Sequence, residues 1–178
     1  MTVNGGALGG SGTTGDVTMN SSGTLSPGNS HGILTVQGNL KLTLGANYLV
    51  SLNGPVVGSQ YSQTNVFGTV SLGNSTLLLH VGFEPAIGTT FDIVDNDSTH
   101  PVTGMFNGFP EGSTLTADGK SFMISYQGGD GNDVVLTAVV PEPASAALIF
   151  SMAGAVVSLR LLRRAANQLF RSGVARGC

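Results

Sequence analysis

Residues 38–54 read GNLKLTLGANYLVSLNG. Leu40, Leu42 and Leu44 alternate with Lys41 and Thr43, which predicts a strand with one buried face and one wet face. A Gly45-Ala46-Asn47 turn follows, then a second short strand, YLVSL (48–52), and a closing Gly54. The same order returns at residues 68–82, GTVSLGNSTLLLHVG, offset by 30 residues. The first version is two residues longer, a difference that reads as an extension of its first strand. Two strand pairs at a fixed offset favour stacked repeating units over a closed sandwich.

Working outward, the same texture covers the chain as far as residue 140. Further strands are predicted over NVFGTVSL (65–72), STLLLHV (75–81), TTFDIV (89–94), STLTA (113–117), SFMISY (121–126) and DVVLTAV (133–139). They are separated by turns rich in Gly, Pro and Asn, the spacing of an all-β protein. No stretch before Pro141 has a helical period. Residues 1–32 are mostly turn formers, with isolated Val3, Leu8, Val17, Met19 and Leu25. Two readings fit them. Stacked turns of chain need only one or two inward residues each, with Gly at the corners. A Gly/Ser-rich disordered linker has the same composition.

Composition supports the all-β reading. Of 178 residues 27 are Gly, none is Trp, and 10% are charged. The few charges are divided unevenly. Residues 1–140 carry Lys41 and Lys120 against nine acids, a net of −7. Residues 141–178 carry five Arg against Glu142, a net of +4. An acidic body excludes nucleic acid as a partner, because phosphate binding needs basic residues. Cys178 is the single cysteine, so no intrachain disulfide can form.

The character changes at VVPEPASAALIFSMAGAVVSLRLLRR (139–164). Pro141-Glu142-Pro143 ends the last strand. Residues 143–159 carry no charge and are apolar all round, which predicts a single transmembrane helix. Arg160 can snorkel, and Arg160, Arg163 and Arg164 mark a cytoplasmic flank. The body is then extracytoplasmic and residues 165–178 form a short basic cytoplasmic tail.

Pro-Glu-Pro, an apolar helix and an Arg cluster, in that order near the C-terminus, resemble the PEP-CTERM sorting signal of exported bacterial proteins. The resemblance implies an exosortase-type membrane protease as partner. It implies a recognition element at Pro141, Glu142 and Pro143, and stop-transfer anchors at Arg160, Arg163 and Arg164. It implies that residues 141–164 form the signal and hold the protein in inner-membrane lipid before release to the cell surface or medium. Unlike the usual signal, AANQLFRSGVARGC follows the Arg cluster. The stretch SPGNSHGILTVQGNLKL (26–42), with its Pro27-Gly28-Asn29 turn, is similar to autotransporter-associated β-strand repeats. So are FDIVDND, GFPEGSTLT and ISYQGGDGNDVVLTAV, which look like the end of such a passenger. This second resemblance implies a right-handed parallel β-helix or β-solenoid for residues 1–140. It also implies a structural role at the cell surface or in an extracellular matrix, where polysaccharide is a possible partner. Met1 is followed directly by TVNGGALGG, with no basic or apolar leader. Export then implies that the chain is the C-terminal part of a longer passenger, or that the true start lies elsewhere.

One motif points to chemistry. GGDGNDVVL (128–136) fits the nine-residue pattern of calcium-binding β-helices. Such sites are completed by neighbouring copies, since Ca²⁺ takes 6–8 oxygens, and there is no second copy here. Asp130 and Asp133 are the calcium candidates, with Asp92, Asp95 and Asp97 the nearest acids by type. The plainer reading is preferred: Gly128 and Gly129 make a turn, Asn132 and Asp133 cap its backbone, and VVLTAV is the last strand. No metal and no cofactor are expected. His31, His80 and His100 share no ligand spacing, and no nucleophile elbow or phosphate loop occurs. The expected function is therefore non-enzymatic. Two alternatives remain. One is an autotransporter-like adhesin fragment, although such a chain would end in a barrel. The other is a β-helical polysaccharide-active enzyme using Asp92, Asp95 and Glu111.

Overall fold

The computed structural model describes residues 1–141. They are all-β: fifteen strands and, among the described residues, no helix. The chain visits three sheets in turn. The first circuit is β1 (Thr2–Val3), β2 (Gly6–Gly10) and β3 (Gly12–Thr14). The second is β4 (Val17–Met19), β5 (Gly23–Pro27) and β6 (Gly32–Val36). The third is β7 (Leu40–Leu42), β8 (Asn47–Leu52) and β9 (Ser62–Val66). The fourth is β10 (Val70–Ser71), β11 (Thr76–Val81) and β12 (Thr90–Asn96). Every strand lies parallel to its counterpart one circuit away, giving the orders β1-β4-β7-β10, β2-β5-β8-β11 and β3-β6-β9-β12.

Alternation within each strand builds the core. Inward residues stack on inward residues: Val17 on Leu40 and Val70, Leu25 on Tyr48 and Leu77, and Leu34 on Thr64 and Val94. The outward neighbours, such as Thr18 and Lys41, are half-buried or exposed. A strand of three residues therefore buries only one or two side chains. Stacking the circuits turns these into one continuous cluster, with Val17, Met19, Leu25, Val36, Tyr48, Val50 and Leu52 fully buried. Residues 1–32, where a linker was the competing reading, hold the first circuit and most of the second.

The corners are tied by side-chain ladders running in the stacking direction. Asp16 Oδ1 accepts from the Asn39 N–H (2.7 Å). Asn39 Oδ1 in turn accepts from the Thr69 N–H and Oγ1 (both 2.8 Å). Gly73 (φ +52°) shows why corners need glycine, because a Cβ there would lie 2.1 Å from the Leu42 carbonyl oxygen.

Two expectations need correction. NVFGTVSL is not one strand. It bends at Phe67–Thr69, so β9 and β10 belong to different sheets. The reason lies at Gly68, whose backbone packs on Gly38 so closely that a Cβ would sit 2.5 Å from the Gly38 oxygen. The extra length of the first repeat is not in its first strand either. Leu40 pairs with Val70, an offset of 30, but Asn47 pairs with Thr76, an offset of 29. One added residue thus falls in the turn, where Leu44 is exposed, and the other follows β8.

The stack closes differently at its carboxyl end. β15 (Asp133–Val139) pairs antiparallel with β12, and β14 (Lys120–Gly128) and β13 (Thr114–Ala117) extend that sheet antiparallel. Asp118 and Gly119 both have positive φ, as a two-residue hairpin between β13 and β14 requires. Aromatic rings fill the end of the core. Phe91 makes edge contacts with Tyr61, Phe83 and Phe122, and Phe106 stacks on Tyr48 at 5.8 Å.

Pro141, the last described residue, is exposed. Glu142, Pro143, the helix expected over 144–159, Arg160, Arg163, Arg164 and the tail 165–178 lie outside the described residues. Among the described residues no helix is long and apolar enough to cross a membrane.

Candidate functional site

The site forms where the parallel stack meets the antiparallel strands. In β12 the register against β15 runs from Asp92 opposite Val135 to Val94 opposite Val134, so two residues advance against one. This is a β-bulge. It turns both Ile93 and Val94 into the core, each fully buried, and leaves Asp92 and Asp95 together on the outer face. Without the bulge, residues three apart would point to opposite faces. The bulge is anchored from within: the buried Tyr48 hydroxyl donates to the Ile93 carbonyl (2.6 Å) and lies 2.9 Å from Thr64 Oγ1. Burial pushes the Tyr48 phenol well above its ordinary pKa, so it stays a neutral donor.

The third acid comes from the nine-residue motif. Gly129 has φ +54°, and a Cβ there would lie 1.6 Å from Asp133 Oδ2, so the chain turns against that carboxylate only because the residue is glycine. Asp133, at 5% exposure, accepts from the Asn96 N–H through Oδ1 (2.8 Å). Asn132, also buried, donates through Nδ2 to the carbonyls of Asn96 (3.1 Å), Ser98 and His100 (3.3 Å). Asn96 closes the same loop on itself, donating to the His100 carbonyl (2.8 Å) and accepting from Ser98 Oγ (2.8 Å). Asn132 and Asp133 are thus capping residues, as expected. What they cap is the loop of residues 96–100 across the sheet, rather than only their own turn.

The result is three carboxylates, Asp92, Asp95 and Asp133, each offering an oxygen within 4.8 Å of the others. The sequence pointed to Asp130 and Asp133, with Asp92, Asp95 and Asp97 as the nearest acids by type. The structure keeps Asp133, leaves Asp130 exposed at the turn, and brings Asp92 and Asp95, but not Asp97, beside Asp133. Asp97 is exposed on the loop and acts only through its charge. Glu111 is elsewhere, accepting from Ser125 Oγ (2.7 Å) and the Tyr126 N–H (2.6 Å) as a backbone cap. His80 is exposed, with Nδ1 3.8 Å from Asp118 Oδ2. None of the three histidines joins an acidic cluster among the described residues.

Like charges at this distance raise one another's pKa. Asp92 is pushed up from 3.8 to about 7, first by burial, then by Asp133, Asp95 and Asp130. Asp95 is raised by burial, then by Asp97, Asp133 and Asp130. Asp133 is raised by burial, with the Asn96 N–H pulling the other way. Two side-chain oxygens here are buried without a hydrogen-bond partner. They are Asp92 Oδ1 and the Oδ1 of Asn65, the register neighbour of Asp95 on β9. Among the described residues the only Lys or Arg side chains are Lys41 and Lys120, and Lys120 pairs with Glu84. The trio can therefore take up a proton, or its oxygens could ligate a hard cation. Three carboxylates supply about half of the 6–8 oxygens that Ca²⁺ takes. A cavity of about 310 Å³ lies beside the loop, lined by Ser98, Thr99, Pro101, Asp130, Gly131 and Asn132, and none of the three carboxylates lines it.

No protein-family model, no curated protein and no solved structure matches the chain.

Proposed function

We propose that this is an exported bacterial structural protein of the cell surface or extracellular matrix. Its body would be a right-handed parallel β-solenoid passenger, and residues 141–164 its sorting and membrane-anchoring signal. The observation that supports this most is the stacking itself: three sheets, four circuits, each inward residue resting on its counterpart. Such an arrangement extends by repetition and presents long outer faces, which suits a spacer or matrix component. The right-handed sense follows from the strong preference for right-handed crossovers between parallel strands of one sheet. The acidic body fits an extracytoplasmic surface that does not bind nucleic acid. In this reading no cofactor is used and no reaction is catalysed. An exosortase-type protease acts near Pro141, Glu142 and Pro143 while Arg160, Arg163 and Arg164 hold the helix in the inner membrane.

The test is processing. The chain, fused to a secretory leader, is expressed in a host with an exosortase and in one without, and the C-terminus of the product is mapped by mass spectrometry. Loss of the tail near residues 141–143 only in the first host is expected. An intact tail in both refutes the sorting reading.

One observation favours the polysaccharide-active alternative: Asp92 titrates near neutrality beside two further carboxylates. That enzyme would lose hydrolysis in Asp92→Asn. The structural reading expects no hydrolysis to lose.

A further inference from the structure

The register between β12 and β15 ends at Val94 opposite Val134. Beyond it, the loop of residues 96–100 and the turn of residues 128–133 are joined by two side chains. Asp133 Oδ1 accepts from the Asn96 N–H, and Asn132 Nδ2 donates to the carbonyls of Asn96, Ser98 and His100. The cavity of about 310 Å³ lies where the two segments part. Ser98, Thr99 and Pro101 line it from the loop, and Asp130, Gly131 and Asn132 from the turn.

Asp133 is therefore both a clamp on the loop and a member of the carboxylate trio. Asp92 and Asp95 are fixed on their side of it. Gln63 Nε2 donates to the Asp92 carbonyl (3.0 Å), and the Tyr48 hydroxyl to the Ile93 carbonyl (2.6 Å). The turn is the freer side, with Gly129 at φ +54° and Gly131 at φ +113°.

Three charges at this place have nothing to balance them. The carboxylate oxygens lie within 4.8 Å of one another, and Asp92 Oδ1 is buried without a hydrogen-bond partner. The surrounding groups are acidic or neutral: Asp97 on the loop, Asp130 on the turn, Asn65 on β9 and Tyr61 just before it. Ser125 of β14 lies beyond Val135 and is bonded to Glu111, another acid. His100, the remaining titratable side chain of the loop, is exposed. One proton on the trio removes two of its three mutual repulsions.

We propose that the trio is a proton-operated latch, which holds the loop against the turn while the three carboxylates share a proton and lets them part when all three are ionised. Ionisation drives Asp133 away from Asp92 and Asp95, the glycine turn yields, and the cavity between loop and turn widens. The raised pKa of Asp92, about 7, sets the range over which the latch works. The closed form binds the proton more tightly than the open form, so closure is favoured at low pH and is lost as pH rises towards 7. The inference is independent of the sorting reading.

The test is hydrogen exchange of the full chain in detergent, with a chelator present so that protons alone neutralise the trio. Mass spectrometry reads fragments spanning residues 95–100, and fragments spanning 48–52 serve as the core reference. After division by the intrinsic exchange rate, opening of the loop is expected to rise at least tenfold from about pH 5.5 to about pH 7.5, since loss of one proton allows about tenfold per pH unit up to the Asp92 pKa. Asp92→Asn is expected to flatten this rise to less than threefold. His100→Gln keeps the loop carbonyl and is expected to retain the full rise. A rise below twofold in the wild type overturns the proposal. So does a full rise in Asp92→Asn, or its loss in His100→Gln, because the histidine would then be the titrating group. Loop fragments that exchange no faster than the core reference also overturn it, because only global unfolding would then free the loop. If Asp92→Asn fails to fold, Asp95→Asn replaces it with the same expectation.

Discussion

Asp92→Asn is the substitution that most directly probes the carboxylate trio. The folded protein holds the Asp92 proton up to about pH 7, whereas an exposed carboxyl releases it near 3.8. The folded state therefore binds this proton more tightly than the unfolded state. The favourable contribution is complete below about pH 4 and is lost as pH rises towards 7, the reverse of an ion-paired carboxylate. At about 1.4 kcal/mol per pH unit, the interval of about 3 sets an upper limit of ~4 kcal/mol. Asp92 is only partly buried, and solvent screening brings the expected effect to about 2 kcal/mol. Asparagine keeps the shape without the charge, and its amide can donate to a neighbouring carboxylate. At pH 8 the variant should be more stable than the wild type by about 2 kcal/mol, or several degrees in Tm for a domain of this size. At pH 4 the two should coincide. Denaturant melts of residues 1–141 between pH 4 and 8 provide the readout. A wild type equally stable at pH 5 and pH 8, or a variant no more stable at pH 8, would refute the reasoning.

Other substitutions probe how the trio is positioned. Tyr48→Phe leaves the buried Ile93 carbonyl without its donor and should cost ~1–3 kcal/mol in chemical denaturation. Gly129→Ala forces a Cβ into the Asp133 carboxylate at positive φ and should cost a similar ~1–3 kcal/mol. It should also speed amide exchange at Asn96, whose N–H loses its acceptor. Leu25→Ala, in the middle of the stacked core, should cost ~2–5 kcal/mol and broaden the side-chain resonances of Met19 and Tyr48.

The sequence alone determined the all-β class, the position of most strands and the repeat, because strand alternation and glycine corners are local properties. The segments predicted over 48–52, 75–81, 113–117, 121–126 and 133–139 each match a strand to within a residue or two. What it could not give were the features set by neighbours distant in the chain. Gly68 is a corner because it packs on Gly38, and one of the two extra residues of the first repeat lies in a turn because pairing with the fourth circuit puts it there. The carboxylate trio depends on tertiary structure for the same reason. Asp92 and Asp95, three apart, belong on opposite faces of a regular strand. Only the bulge against β15, secured by the Tyr48 hydroxyl, brings them together beside Asp133. Local alternation is written in adjacent residues, but a change of register is decided by the strand on the other side.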